Sequence, residues 1–264
     1  MKLRLSLFAL IILPSLATAD NPPTVLDFNT IAREQGFSSD CAITFDDGPG
    51  AHTGQLLDVL KAKGVHATFF VLGQHVKQYP DTIRRMVAEG HEVENHSWDH
   101  PDMKKLDEPT RQKEMEDTVA QLKNLGVTPH YFRPPYGSYD PSLAAQAHKD
   151  GLELVLWSHD SIDWRYHTVA QLEGDILPKG DGAHGIFLFH DIHDSTIAAM
   201  PAVLDQLQSK GCVFTTVSQW VADTEAKQAA LPQIAHSVPV HGAAAPPAPV
   251  AKSAKTGWFK RLWQ

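Results

Sequence analysis

The sequence predicts an α/β fold in which about seven β/α repeats lay down a parallel sheet that closes into a barrel. Three observations carry this expectation. From Cys41 onward, short apolar runs alternate with stretches of helical periodicity. Gly64, Gly90, Gly126, Gly151 and Gly211 stand just past the predicted helices, where a left-handed C-terminal turn is needed. The chemically capable residues Asp46, Asp47, His96, Arg133, Asp160, Asp163 and His190 recur at the C-terminal ends of the strand segments. Barrels of this architecture place their active sites on that face.

The elements follow in order. Cys41–Phe45 reads as a strand, followed by a helix near Thr53–Lys63. Ala67–Leu72 is the next strand, then helical turns across Val76–Ala88. His91–Glu94 is short and poor in apolar residues but runs into a histidine cluster. Pro109–Leu125 is an amphipathic helix, with Met115, Val119 and Leu122 on its apolar face. Tyr131–Arg133, a helix near Pro141–Lys149 and the strand Leu152–Trp157 come next. A helix near Val169–Leu177, the strand Gly185–Phe189, the helix Thr196–Ser209 and the strand Val213–Val217 complete the repeat.

The ends of the chain differ from this middle. Lys2 and Arg4 precede the apolar run Leu5–Leu16, and Ala17-Thr18-Ala19 offers a small-x-small cleavage site. Residues 1–19 therefore read as a signal peptide, which sends the protein to a periplasm or outside the cell. Residues 20–38 form a lead-in, 39–225 a catalytic domain, and 226–264 an Ala/Pro-rich linker ending in a short basic, aromatic tail. Lys252, Lys255, Lys260 and Arg261, with Trp258, Phe259, Leu262 and Trp263, give that tail a weak membrane-surface contact as one reading and a disordered end as the other. A formal net charge of −8 over 264 residues argues against nucleic acid as a partner. Two cysteines, Cys41 and Cys212, are too few for a disulfide scaffold. In an oxidising compartment they form either a single staple or two buried thiols.

Five short segments carry the chemistry. Asp46-Asp47-Gly48-Pro49 has the form of a turn, yet two adjacent carboxylates at a strand end can divide the work of metal ligation and proton transfer. His96 and His100 add two imidazoles, which at this spacing share one side of a helical turn. One Asp and two His supply the three protein ligands of a hydrolytic metal site, with a fourth position left for water. Asp99, between them, reads as a group that orients an imidazole. Arg133-Pro134-Pro135-Tyr136-Gly137 stiffens the backbone after a strand; it is either a rigid turn or the frame for an exposed N–H near Tyr136. Asp160-Ser161-Ile162-Asp163-Trp164 sets a carboxylate beside an aromatic wall, and Leu188-Phe189-His190-Asp191 ends an apolar strand in a histidine.

In this order, over roughly Ser39 to Val221, these segments resemble the polysaccharide deacetylase (NodB-homology) family, the fourth carbohydrate esterase family. The resemblance implies a distorted (β/α) barrel, a groove for an N-acetylated glycan, and a divalent metal, Zn2+ or another such as Co2+. It implies that Asp46 is the general base and that Asp47, His96 and His100 hold the metal. Arg133 then pairs with the base, the Tyr136 N–H stabilises the oxyanion, and Asp163 orients His190 as the general acid. Trp164 becomes a groove wall, and Leu188 and Trp157 walls of an acetyl pocket. The implied reaction is N-deacetylation of N-acetylglucosamine units, with peptidoglycan the favoured polymer. Chitin-oligomer deacetylation, glycan O-acetyl esterase activity and a non-catalytic glycan-binding module are the alternatives. Glu94, His159 and His193 depart from the common pattern without removing a catalytic group.

Overall fold

In the computed structural model, residues 24–27, 40–165, 172 and 183–230 are described. The signal peptide, nearly all of the helix expected near Val169–Leu177 and the basic aromatic tail lie outside the described residues, as does most of the lead-in. The chain divides into two units, Met1–Leu231 and Pro232–Gln264, and the second contains no described residue. Among the described residues no helix is long and apolar enough to cross a membrane.

Among the described residues nine parallel strands form one sheet. They are β1 (Val25–Leu26), β2 (Asp40–Asp46), β3 (Thr68–Val71), β4 (Glu92–Asn95), β5 (Tyr131–Phe132), β6 (Glu153–Val155), β7 (His159–Asp160), β8 (Gly185–His190) and β9 (Val213–Thr215). Their order is β1-β6-β5-β4-β3-β2-β8-β7. Strand β2 is the hub: β8 runs along it from Cys41 to Asp46, while β9 pairs with Asp40–Ala42 and β3 with Thr44–Asp46. Among the described residues no pairing joins β7 to β1, so the barrel is distorted and incomplete.

Among the described residues seven α-helices accompany the strands: α1 (Thr53–Lys63), α2 (Gly73–Gln78), α3 (Pro80–Ala88), α4 (Glu108–Asn124), α5 (Pro141–Lys149), α6 (Asp194–Ser209) and α7 (Val217–Ala230). The single segment expected over Val76–Ala88 is split into α2 and α3, because Pro80 cannot continue α2 but suits the first turn of a new helix. Helix α1 ends where Gly64 turns left-handed at φ 66°, as its glycine predicts.

Alternation along the strands sorts side chains into two layers. Cys41, Ile43 and Phe45 of β2, with Phe187 and Phe189 of β8, face outward into a core shared with Leu56, Leu57 and Leu60 of α1 and Val203, Leu204 and Leu207 of α6. Ala42, Thr44 and Asp46 therefore face the barrel interior, as do Ile186, Leu188 and His190. The interior below the site is filled by Leu26, Ala42, Phe70, Val155, Ile186, Val217 and Trp220. A third cluster, including Met115 of α4, Leu143 of α5, Phe132 and Leu154, packs those helices on β5 and β6.

Helix α7 was not anticipated: β9 stops at Thr215, short of the expected Val217, and the chain turns helical. Val217 and Trp220 plug the interior, and Glu92 accepts hydrogen bonds from the Ser218 N–H (3.3 Å) and hydroxyl. A carboxylate from a neighbouring strand thus caps the helix. Residues 226–230, assigned from composition to the linker, belong to this helix. Cys41 of β2 and Cys212, just before β9, are joined by a disulfide with Cα atoms 5.6 Å apart, so the staple reading holds.

Candidate active site and metal centre

Asp46 ends β2 on the inward parity and is 2% exposed. A carboxylate so placed needs a partner, and Arg133, fully buried, supplies it: Nη1 donates to Asp46 Oδ1 at 2.8 Å. Three more of its five N–H groups are also used. Nη1 reaches Thr44 Oγ1 (2.7 Å), Nη2 the Leu156 carbonyl (2.9 Å) and Nε the Val155 carbonyl (3.2 Å). The guanidinium lies 3.9 Å from the Phe70 ring centre and 5.7 Å from that of Trp157. Burial raises the Asp46 pKa above the usual carboxylate value, and the opposing charges of Arg133 and His190 restrain that rise. The result is a held, desolvated carboxylate suited to taking a proton.

Asp47, His96 and His100 converge beside it, with one ligand-capable atom from each within 4.8 Å of the others. Both Nε2 atoms lie 3.5 Å from Asp47 Oδ1. His96 Nδ1 is 2.6 Å from the Arg133 carbonyl, so Nδ1–H donates there and the Nε2 lone pair faces Asp47. Burial drives the His96 pKa down to about 3, against the pull of the Asp47 charge, and keeps the ring neutral as a ligand must be. Asp47 Oδ1 is buried and accepts no hydrogen bond. An orphaned buried carboxylate oxygen facing two imidazole nitrogens is the donor arrangement a cation takes up. The donor set fits a divalent metal.

Two expectations for this loop are corrected. Residues 96–100 are not helical; Ser97 and His100 adopt positive φ (72° and 68°), and this irregular turn brings the imidazoles together. Asp99 is exposed, and no described hydrogen bond joins its carboxylate to an imidazole; the Arg133 carbonyl orients His96 instead. The loop is fixed from behind, where Glu114 of α4 accepts from the Trp98 and Asp99 N–H groups (2.9 and 3.3 Å). Asn95 Oδ1 accepts from the Ser97 N–H (2.8 Å).

His190 ends β8 in register with Asp46 on β2, which sets the two side chains on adjacent strands of one face. Asp163 Oδ1 accepts from His190 Nδ1 at 2.6 Å, while Oδ2 accepts from the His190 N–H (2.7 Å) and Thr196 Oγ1 (2.8 Å). Burial alone lowers an imidazole pKa, but the Asp163 hydrogen bond and charge, with the charges of Asp46 and Asp47, carry His190 up to about 9. It is therefore a protonated acid at neutral pH. Asp160 is a turn-former: its Oδ1 accepts from the Ile162 N–H (2.8 Å). Replacing Asp163 by asparagine removes the main support of the His190 charge, so the His190 pKa falls. A group that works protonated then loses activity at lower pH. We expect the alkaline limb of kcat/KM to move down in Asp163→Asn; a limb that stays in place removes His190 as the titrating acid.

Tyr136 follows Arg133 on the same loop, with φ 60° and its side chain 66% exposed. Its ring meets that of His100 edge-on at 4.5 Å, which sets it beside the cluster of Asp47, His96 and His100, and no described hydrogen bond uses its N–H. Leu188, two residues before His190 and in register with Thr44, faces the interior, and Trp157 is half-buried under Arg133. Trp164 is half exposed next to Asp163. Phe70, His75 and Glu114, all of which support the site, escaped the sequence reading. Phe70 sits inside a strand and His75 in the first turn of a helix, while Glu114, in the middle of a helix, carries no local signal.

A family model described as polysaccharide deacetylase matches residues 36–155. A Bacillus cereus protein named peptidoglycan-N-acetylglucosamine deacetylase is 37% identical over 182 residues, covering 65% of this chain and 67% of its own. A Listeria monocytogenes peptidoglycan-N-acetylglucosamine deacetylase, PgdA, is 39% identical over 67% of this chain, which spans 38% of that longer relative. The solved structure of the peptidoglycan deacetylase PdaC from Bacillus subtilis superposes with a TM-score of 0.67 at 35% identity. That match covers 72% of this chain and 93% of the other.

Proposed function

This chain belongs to the polysaccharide deacetylase family, and we propose that it is a metal-dependent N-deacetylase acting on the N-acetylglucosamine units of peptidoglycan outside the cytoplasm. The observation that carries the reading is the pairing of two opposed proton-transfer groups around one ligand triad. Asp46 is held by Arg133, His190 by Asp163, and Asp47 Oδ1 lies orphaned against two imidazoles. A glycan-binding module needs neither Asp46 nor His190. The peptidoglycan names of similar proteins and the export-type N-terminus support the choice of polymer.

Asp47, His96 and His100 would hold the metal, and zinc suits one carboxylate with two imidazoles. A divalent cation there supplies Lewis acidity, which polarises a carbonyl and acidifies water toward a pKa of about 7. The protein does the rest. Asp46, held by Arg133, accepts the proton of the attacking water. The Tyr136 N–H donates to the oxygen on which charge develops, a contribution of about 3–4 kcal/mol for one preorganised donor. The amine cannot leave as an anion, so His190 delivers a proton to it, with Asp163 holding Nδ1 and leaving Nε2–H for the transfer. Acetate and a free amino sugar result.

The test compares acetate release from purified peptidoglycan and from chitin oligomers at identical metal loading, with an O-acetylated glycan as control. Metal-dependent release, fastest from peptidoglycan, is the expected outcome. A preference for chitin overturns the polymer, and release confined to the O-acetylated glycan overturns amide chemistry. Metal analysis of Asp47→Ala should find the site depleted; full occupancy rejects the ligand set.

A further inference from the structure

Asp191 follows the acid His190, and nothing in the mechanism above uses its side chain. The carboxyl group is completely buried. Its Oδ2 accepts a hydrogen bond from Thr53 Oγ1 at 2.6 Å, and Thr53 Oγ1 in turn accepts from the Gly50 N–H at 2.8 Å. Its Oδ1 is buried without any hydrogen-bond partner. A buried acid left half-satisfied is costly, so a fold keeps one only where something depends on it.

What it touches is the turn that presents the metal ligand. A Cβ built on Gly48 would fall 2.1 Å from Asp191 Oδ1 and 2.2 Å from Oδ2, so the carboxyl group lies directly against the Gly48 backbone. Gly48 is the residue after Asp47, whose φ of 73° is itself unfavourable for a side-chain-bearing residue. The same turn is gripped twice more. His75 Nδ1 lies 2.7 Å from the Asp47 carbonyl, and the Leu72 N–H donates to the Gly48 carbonyl at 3.1 Å. Those two contacts come from the β3–α2 side. Asp191 provides the support from the β8 side, tied through Thr53 to the start of α1.

We propose that Asp191 is a positioning residue for the metal ligand Asp47: by wedging against Gly48 and anchoring to Thr53, it holds the Asp47 turn in register with the strand that carries His190. This rests on the metal-site reading above and extends it to a residue outside the ligand set. Removing a group that orients a ligand typically costs 10–100-fold in metal affinity. Asp191→Ala opens space beside Gly48 and should weaken metal binding by that factor, whereas Asp191→Asn, which keeps both shape and an acceptor for Thr53, should stay within about threefold. Gly48→Ala drives a methyl group into the carboxyl and should also weaken binding. In the Asp191→Ala background the same change should cost much less, because the clash is gone.

The experiment titrates metal-stripped protein with zinc chloride by calorimetry, and with cobalt(II) by its visible absorption, for the unaltered chain and these variants. Circular dichroism first establishes that each is folded. If Asp191→Ala does not fold, Thr53→Val against Thr53→Ser carries the test, since only the first removes the hydroxyl that holds Asp191. Unchanged affinity in Asp191→Ala, or in Thr53→Val as its stand-in, overturns the proposal and leaves Asp191 a purely structural acid. Loss in Asp191→Asn equal to that in Asp191→Ala also overturns it, because charge rather than position would then matter. An unaltered chain that binds neither metal rejects the metal site itself, which is a different failure from a parent that binds while Asp191→Ala binds equally well.

Discussion

Asp46→Asn is expected to cut turnover on an N-acetylated glycan by about 10²–10⁴ while leaving bound metal in place. The amide cannot accept the proton of the attacking water, yet it retains an oxygen for Arg133 Nη1. Asp46→Ala should do further damage, because it strands a fully buried guanidinium without its counter-charge; breaking such a pair typically costs about 3–5 kcal/mol. Comparing thermal unfolding of the two variants separates the lost base from the lost ion pair. His190→Ala should show a similar kinetic loss on the amide and a smaller one on an activated aryl acetate, whose leaving group departs without a proton. Equal losses on both substrates would remove His190 from the acid role.

The second large effect is on stability. The Cys41–Cys212 disulfide closes a loop of 171 residues, and by chain entropy such a closure is worth about 5 kcal/mol at most. It ties β2, the hub of the sheet, to the start of β9, whose pairing with Asp40–Ala42 brings α7 onto the inner core. Cys41→Ala with Cys212→Ala should therefore shift the denaturant midpoint strongly downward, and a reducing agent should do the same to the unaltered chain. Coincident unfolding curves with and without reductant would show that the covalent tie contributes nothing.

The elements legible in the sequence were those with their own periodicity and punctuation. Thr53–Lys63 and Pro141–Lys149 are found at the expected residues, each with a signal at its end: Gly64 after the first, Asp140 as N-cap of the second. Asp46 and His190 were legible because they end strands, and strand parity aims both at a common interior; Asp47, His96 and His100 were legible from residue type and spacing rather than from parity. Strands β1 and β7, two residues each, carry no period to read. Helix α7 was missed because its docking depends on Glu92, a residue distant in sequence that caps it from another strand. The histidine turn was misread as helical because spacing alone does not distinguish a helix from a loop held by Asn95 and Glu114. Long-range supports of this kind leave no local trace.

All five described non-glycine residues with positive φ lie on the loops of the site: Asp47, Ser97, His100, Tyr136 and Ile162. For Ile162, a β-branched residue at φ 54°, this conformation is especially unfavourable. The catalytic rim is thus where the chain is least content locally and most dependent on the rest of the barrel. A laboratory selection for heat resistance alone would find its easiest gains there, through glycine or asparagine at these positions, and would erode the geometry it was meant to preserve. Engineers seeking a hardier enzyme should instead work on the helical exterior, where relief of strain and loss of function are not the same substitution.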